Sequence, residues 1–172
     1  QSDKITVPVS TNLSWMDFYD EKIMNWLERK CADTSIPSGL SRMEITETSY
    51  AAIEADRSAT LEALREAGVL LLLDDFGSGY SSFGMLQNYN FDIMKIDMSF
   101  VRQIETNTKT RSIIRFIIEM AHTMDIKIIA EGAETKEQVE FLRDNGCDYI
   151  QGYYFYKPMP EEEFVKLLDA GR

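Results

Sequence analysis

Val69-Leu70-Leu71-Leu72-Leu73-Asp74-Asp75-Phe76-Gly77-Ser78-Gly79 carries an unbroken aliphatic run straight into two carboxylates and then into glycine. A run of this kind, with no polar alternation, describes a strand covered on both faces, as in a parallel sheet layered with helices. Glycines just beyond the paired aspartates let the backbone turn sharply and make the strand's C-terminal tip a candidate chemical site.

The same pattern repeats outward in both directions. Residues 7–9 run toward Asn12, Met43-Glu44-Ile45 passes into Thr46-Glu47, 91–96 contains Lys95 and reaches Asp97, 126–130 reaches Glu131, and 147–150 reaches Gln151. With 69–73 these are six predicted strands. Helical spacing lies between them, in Ile23, Leu27 and Cys31 and again in Ile113, Ile117 and Ala121. Other helices are marked by their ends. Thr135 with Gln138 fits a capping box, Pro160 before Glu161, Glu162 and Glu163 suits a helix start, and Gly68 and Gly146 stand where helices stop. The polar stretch 105–111 reads as a surface loop or a helix start.

Strand and helix taking turns predicts an α/β fold with a parallel sheet and helical crossovers. An open doubly wound sheet and a closed barrel both satisfy that alternation. Polar residues at nearly every strand end favour the barrel, which gathers its strand tips around one mouth, whereas an open sheet spreads them along an edge. A TIM-like (β/α) barrel has eight units in roughly 250 residues. Six units in 172 residues therefore predict about six of eight strand-helix units, with N-terminal units missing.

Composition narrows the chemistry. Acidic residues outnumber basic ones by 29 to 18, a net charge of -11 with no Lys/Arg stripe, which argues against bulk nucleic-acid binding. His122 is the only histidine, so multi-histidine zinc sites and Ser-His-Asp triads within the chain are excluded. Cys31 and Cys147, far apart and in apolar contexts, read as buried thiols. There is neither a long apolar run nor a signal-peptide order at the start. No membrane contact by this segment and a cytoplasmic location are expected, leaving open an anchor elsewhere in a parent protein.

If the barrel reading holds, Glu44, Asp74, Asp75, Asp97 and Glu131 meet at one rim. Two like charges ~4 Å apart cost roughly 4 kcal/mol at an effective dielectric of 20, so cations bind there or some carboxylates protonate. A pair of divalent ions is a known solution for phosphoester cleavage, and neutral oxygens from Asn12 and Gln151 suit Mg²⁺ or Mn²⁺ better than zinc. Lys95 sits inside an apolar strand, where it either snorkels outward or points in to balance the cluster and hold an attacking water. Gly77-Ser78-Gly79 does not complete a dinucleotide fingerprint, because Ser82 stands at the third glycine position.

Asn12-Leu13-Ser14, Glu44-Ile45-Thr46-Glu47-Thr48, residues 74–82, Lys95-Ile96-Asp97, Ala130-Glu131-Gly132-Ala133-Glu134-Thr135 and Gln151-Gly152-Tyr153 together resemble the EAL family of cyclic-di-GMP phosphodiesterases. The resemblance implies hydrolysis of cyclic-di-GMP to linear pGpG with two Mg²⁺ or Mn²⁺ ions. It implies Asn12, Glu44, Asp74, Asp75 and Glu131 as metal ligands, with Asp74 bridging. Lys95 would orient or activate water, Gln151 and Asp97 would belong to the substrate or water network, and Glu47 and Glu134 would anchor the loop following Asp75. That loop resembles a dimer-coupled regulatory loop, implying a homodimer, with sensor or diguanylate cyclase domains as further partners in a parent chain.

Two further expectations follow from what the resemblance does not find. No Glu-Ala-Leu triplet precedes Asn12, although the family carries a metal-binding glutamate there on its first strand. Residues 1–172 are thus expected to form an EAL-type domain truncated at its N-terminus, weak or inactive alone. A non-catalytic cyclic-di-GMP receptor or a dimerising regulatory module is the alternative. An unpaired first strand would have to be covered by dimerisation, swapping or imperfect closure, or belong to a shortened form of a longer chain.

Overall fold

The computed structural model describes residues 6–14, 16–31, 37–46, 49, 58–77, 86–87 and 89–170. Six strands, β1 (Val9–Asn12), β2 (Ser41–Thr46), β3 (Leu70–Phe76), β4 (Ile93–Ile96), β5 (Lys127–Ala130) and β6 (Tyr149–Ile150), form one sheet. Every neighbouring pair is parallel and the spatial order is the sequence order. A doubly wound sheet would reverse its order at a switch point, so sequential order selects the barrel class and the result is a partial barrel. The helices are α1 (Glu21–Cys31), α2 (Ser58–Glu66), α3 (Met98–Val101), α4 (Thr108–Thr123), α5 (Lys136–Asp144) and α6 (Glu161–Ala170), with a 3₁₀ turn at Asp17–Tyr19.

Strand alternation separates two apolar layers. Met43, Ile45, Leu71, Leu73, Met94, Ile96 and Ile128 belong to the main core with Leu61, Leu64, Ile114, Ile118 and Leu142 from the helices. Their alternates Leu72, Ile93 and Ile129 make a second, separate cluster on the other sheet face, the barrel interior. Burying each such side chain fully contributes about 1.5–3 kcal/mol, which is why register is firmly set in the central strands.

The boundaries differ from the sequence expectation where side chains intervene. β6 begins at Tyr149 rather than 147, because the Asp148 carboxylate accepts the Ile128 amide at 2.9 Å in place of a backbone carbonyl. β4 likewise begins at Ile93, with the Asp92 carboxylate accepting the Leu71 amide at 2.8 Å. β1 starts beyond Pro8, which has no amide to donate, and all four of its residues are exposed.

In α4 the buried stripe is Ile114, Ile117, Ile118 and Ala121, while Ile113 is 45% exposed, so the apolar face is centred one residue from the expected one. Residues 105–111 do contain a helix start, with the Asn107 side chain capping α4 through the amides of Lys109 and Thr110. Thr135 and Gln138 form both bonds of the predicted capping box on α5. α6 begins after Pro160 with three glutamates and buries none of its residues. Gly68 and Gly146 end helices at φ 87° and 83°. Cys147 is a half-buried free thiol whose pKa burial pushes up to about 12. The side chain of Cys31 lies outside the described residues. Among the described residues no helix is long and apolar enough to cross a membrane.

Candidate active site at the C-terminal rim

Lys95 points inward from β4, into the barrel. It alternates with Met94 and Ile96 of the outer core, and its neighbour on the inner face, Ile93, lies in the interior cluster. Its ammonium meets Glu44 Oε2 of β2 at 2.6 Å, Glu131 Oε1 just beyond β5 at 2.7 Å and Asp74 Oδ1 of β3 at 3.0 Å. The lysine side chain is 7% exposed and its three partners no more than 19%. Burial by itself disfavours the ammonium, but the hydrogen bonds it donates to Glu131, Glu44 and Asp74 outweigh burial and hold the pKa above the ordinary lysine value.

A bulge shapes the aspartate pair. Leu73 is level with Met94 and Phe76 with Ile96, so β3 advances three residues while β4 advances two. The extra length falls on Asp74-Asp75, with Asp75 at φ 57°, a left-handed conformation that aspartate tolerates better than most residues. The Asp75 amide donates to Asp74 Oδ1 at 2.9 Å. Burial, and after it the charges of Asp74 and Asp97, push the Asp75 pKa above the ordinary carboxylate range. Glu131 is also raised, by burial first, with repulsion from Asp74 and Glu44 added against the pull of Lys95. Just past the bulge Gly77 has φ 94°, and a Cβ there would fall 2.6 Å from the Phe100 ring.

The other expected site residues lie around this centre. Asn12 ends β1 level with Glu44 and is exposed. Gln151 follows β6, its amide donating to Ala130 O at 2.9 Å, and its side chain is exposed. Asp97 caps α3, Oδ1 accepting the Ser99 amide at 2.9 Å. Glu134 is exposed and pairs with Arg102 at 3.5 Å, a partner the sequence did not suggest. Glu47 and residues 78–85 of the following loop lie outside the described residues. Also absent from the sequence reading is the tie beside that pair, where the Thr135 hydroxyl donates to Glu105.

This rim combines hard oxygen donors, excess negative charge and one buried cation. Among the described residues no group of three His, Cys, Asp or Glu side chains is arranged to hold an ion, since the carboxylates that converge do so on the Lys95 ammonium.

Residues 1–158 match the EAL domain family. The chain belongs to the EAL domain family. This EAL domain is 44% identical over 65% of its length to the cyclic di-GMP phosphodiesterase NbdA of Pseudomonas aeruginosa, of which it covers 14%. It spans about a fifth of the length of the curated relatives it matches. Among solved structures, the EAL domain of Mycobacterium smegmatis DcpA superposes with a TM-score of 0.88 at 30% identity, over 96% of this chain and 74% of that one. Klebsiella pneumoniae BlrP1, solved as a manganese and cyclic-di-GMP complex, superposes with a TM-score of 0.78 at 28% identity, over 87% of this chain and 38% of that one.

Proposed function

We propose that this EAL domain, with its rim complete, hydrolyses one phosphodiester bond of cyclic-di-GMP to linear pGpG, using two Mg²⁺ or Mn²⁺ ions at Asn12, Glu44, Asp74, Asp75 and Glu131. The observation that carries the reading is the charge balance around Lys95. Three carboxylates, of Glu44, Asp74 and Glu131, share one ammonium, Asp75 and Asp97 add their charge beside them, and Asp75 and Glu131 are driven above their ordinary values. Such a charge excess favours divalent cations: side chains that now converge on Lys95 would have to turn to hold them, and the ions would supply Lewis-acid chemistry toward a phosphoryl group.

The chain's own side chains divide the remaining work. Lys95 keeps its proton at Nζ, and once a carboxylate turns from it toward a cation the freed N–H would orient a water for attack on phosphorus. Glu131 and Asp75, with raised affinity for protons, are suited to hold that water or take its proton. Gln151 and Asp97 line the same rim as substrate or water contacts. Glu47 and Glu134 are proposed to anchor the loop that follows Asp75, and a homodimer is proposed to communicate through it, with sensor or cyclase domains in the parent protein.

We further propose that strands from outside these 172 residues complete the barrel. Three features support this: β1 and β6 are the sheet edges among the described residues, α6 has no fully buried residue, and 74% of the DcpA EAL domain is matched. Cyclic-di-GMP incubated with Mn²⁺ and the full parent domain should give pGpG, measured by ion-exchange chromatography. The 172-residue chain should give little, and Asp74→Ala in the parent domain none. Undiminished hydrolysis by Asp74→Ala rejects the site.

The Lys95 ion pairs also favour a second reading, a receptor that binds cyclic-di-GMP without cutting it, because the carboxylates are already satisfied by a side-chain cation. Saturable cyclic-di-GMP binding by the parent domain in EDTA, with no pGpG when Mn²⁺ is restored, would select it.

A further inference from the structure

Gln151 and Glu131 reach the rim from the tips of adjacent strands, and the backbone between those tips is stitched together. The Ala133 amide donates to Gln151 O at 3.1 Å, and the Tyr154 amide donates back to Ala133 O at 3.0 Å. Below the stitch the Glu131 amide donates to Ile96 O at 3.1 Å, and Ala133 is fully buried. Gly152 occupies the crossing point. A Cβ there would stand 2.1 Å from Ala133 O, 2.4 Å from its N and 2.7 Å from its carbonyl carbon. All three are backbone atoms, so no side-chain rotation relieves the overlap. Reaching an ordinary contact of ~3.5 Å means moving the Ala133 and Gly152 backbones apart by more than about 1 Å.

We infer that Gly152 is a positioning residue: by admitting the Ala133 backbone it holds Glu131 against Lys95 and sets Gln151 beside it. The inference deepens the proposed function and rests on Glu131 belonging to that site. Glu131 lies two residues from Ala133 and Gln151 one from Gly152, so a separation of that size strains the chain on both sides and with it the 2.7 Å bond from Lys95 to Glu131. Gly68 provides a contrast. A Cβ there meets the Ser38 hydroxyl at 2.8 Å, at φ 87°, so an alanine is strained there as well but touches nothing at the rim.

The test is solvent exchange of the Lys95 ammonium protons, followed by NMR in the ¹⁵N-lysine-labelled 172-residue chain and identified by their loss in Lys95→Met. Gly152→Ala should speed that exchange by at least about tenfold, because opening the cluster exposes the ammonium. Gly68→Ala should lower the melting temperature and leave the exchange within about twofold. A folded Gly152→Ala chain with unchanged Lys95 exchange overturns the inference. The unsubstituted chain gives an answer that does not depend on the variant folding. Along a urea gradient the amides of Ala133 and Tyr154 and the Lys95 ammonium should lose protection together, and an ammonium that opens well before the stitch overturns the inference too. Exchange requires neither metal nor nucleotide, so its failure is distinct from failure of the proposed reaction, which the pGpG assay judges.

Discussion

The two ends of this sheet use the same residue types to opposite ends. At the N-terminal edge Asp92 and Asp148 each have their own side-chain partner and their own amide: Asp92 takes the Leu71 amide at 2.8 Å and Arg65 at 3.3 Å, while Asp148 takes the Ile128 amide and pairs with His122 Nε2, both at 2.9 Å. At the C-terminal rim three carboxylates crowd one ammonium and two more stand nearby. The pKa directions record the difference. Asp148 is lowered: burial opposes its charge, but the His122 and Ile128 hydrogen bonds outweigh it, whereas Asp75 and Glu131 are raised. Singly partnered carboxylates stabilise the fold; crowded ones are held there by the rest of the fold and remain available for ligands.

The contrast is broken most severely by removing the shared cation. Lys95→Met should destabilise the metal-free chain by about 3–5 kcal/mol in urea titrations at pH 7, because uncompensated carboxylates are left buried. It should also lower hydrolysis by the parent domain by a factor of ~10² or more. Acidification should recover part of the stability, as the carboxylates protonate. A variant as stable as the unsubstituted chain at pH 7 would mean that the ion pairs are energetically idle.

Asp148→Asn tests the other edge. It should cost about 1–2 kcal/mol at pH 7 and leave metal binding at the rim unchanged. The sign with pH is set by the lowered pKa: the contribution is complete above the ordinary aspartate value of about 3.9 and lost as pH falls through the lower folded value. The difference between Asp148→Asn and the unsubstituted chain should therefore shrink in acid, as followed by thermal melts across a pH series.

Thr135→Ala removes the α5 cap and the Glu105 tie and should lower stability by about 1 kcal/mol in urea titration, with little change in Mn²⁺ affinity. Glu131→Gln is expected to have the smallest effect on stability, and its sign is diagnostic. Because the folded pKa of Glu131 is raised, its ionisation opposes folding. Stability from this group is present below the unfolded value of about 4.3 and lost as pH rises through the folded one. Glu131→Gln should thus equal or slightly exceed the unsubstituted chain in melting temperature at pH 8 while losing affinity for Mn²⁺ in calorimetry. A marked loss of stability at that pH would place Glu131 with the structural carboxylates of the other edge.

Much of the fold is legible in the residues because local chemistry and burial agree there. The aliphatic run 69–73, the capping box at Thr135 and Gln138 and the Pro160 start each dictate an element by themselves, and the polar strand ends point to a common rim. Strand ends depart from the apolar pattern where a side chain replaces a backbone partner, as Asp92 and Asp148 do, since no periodicity encodes which amide a distant carboxylate will accept.

By itself, the sequence determined that strands and helices alternate, that carboxylates end the strands and that a lysine interrupts an apolar one. Tertiary structure alone decided that Lys95 faces three of those carboxylates at once, that a bulge folds Asp75 into a left-handed turn beside Asp74, and that Gly152 lies against the Ala133 backbone. The reason is distance along the chain. Local propensity acts over a few residues, whereas the partners of Lys95 come from three other strands or their tips, and only the register of the whole sheet brings them together.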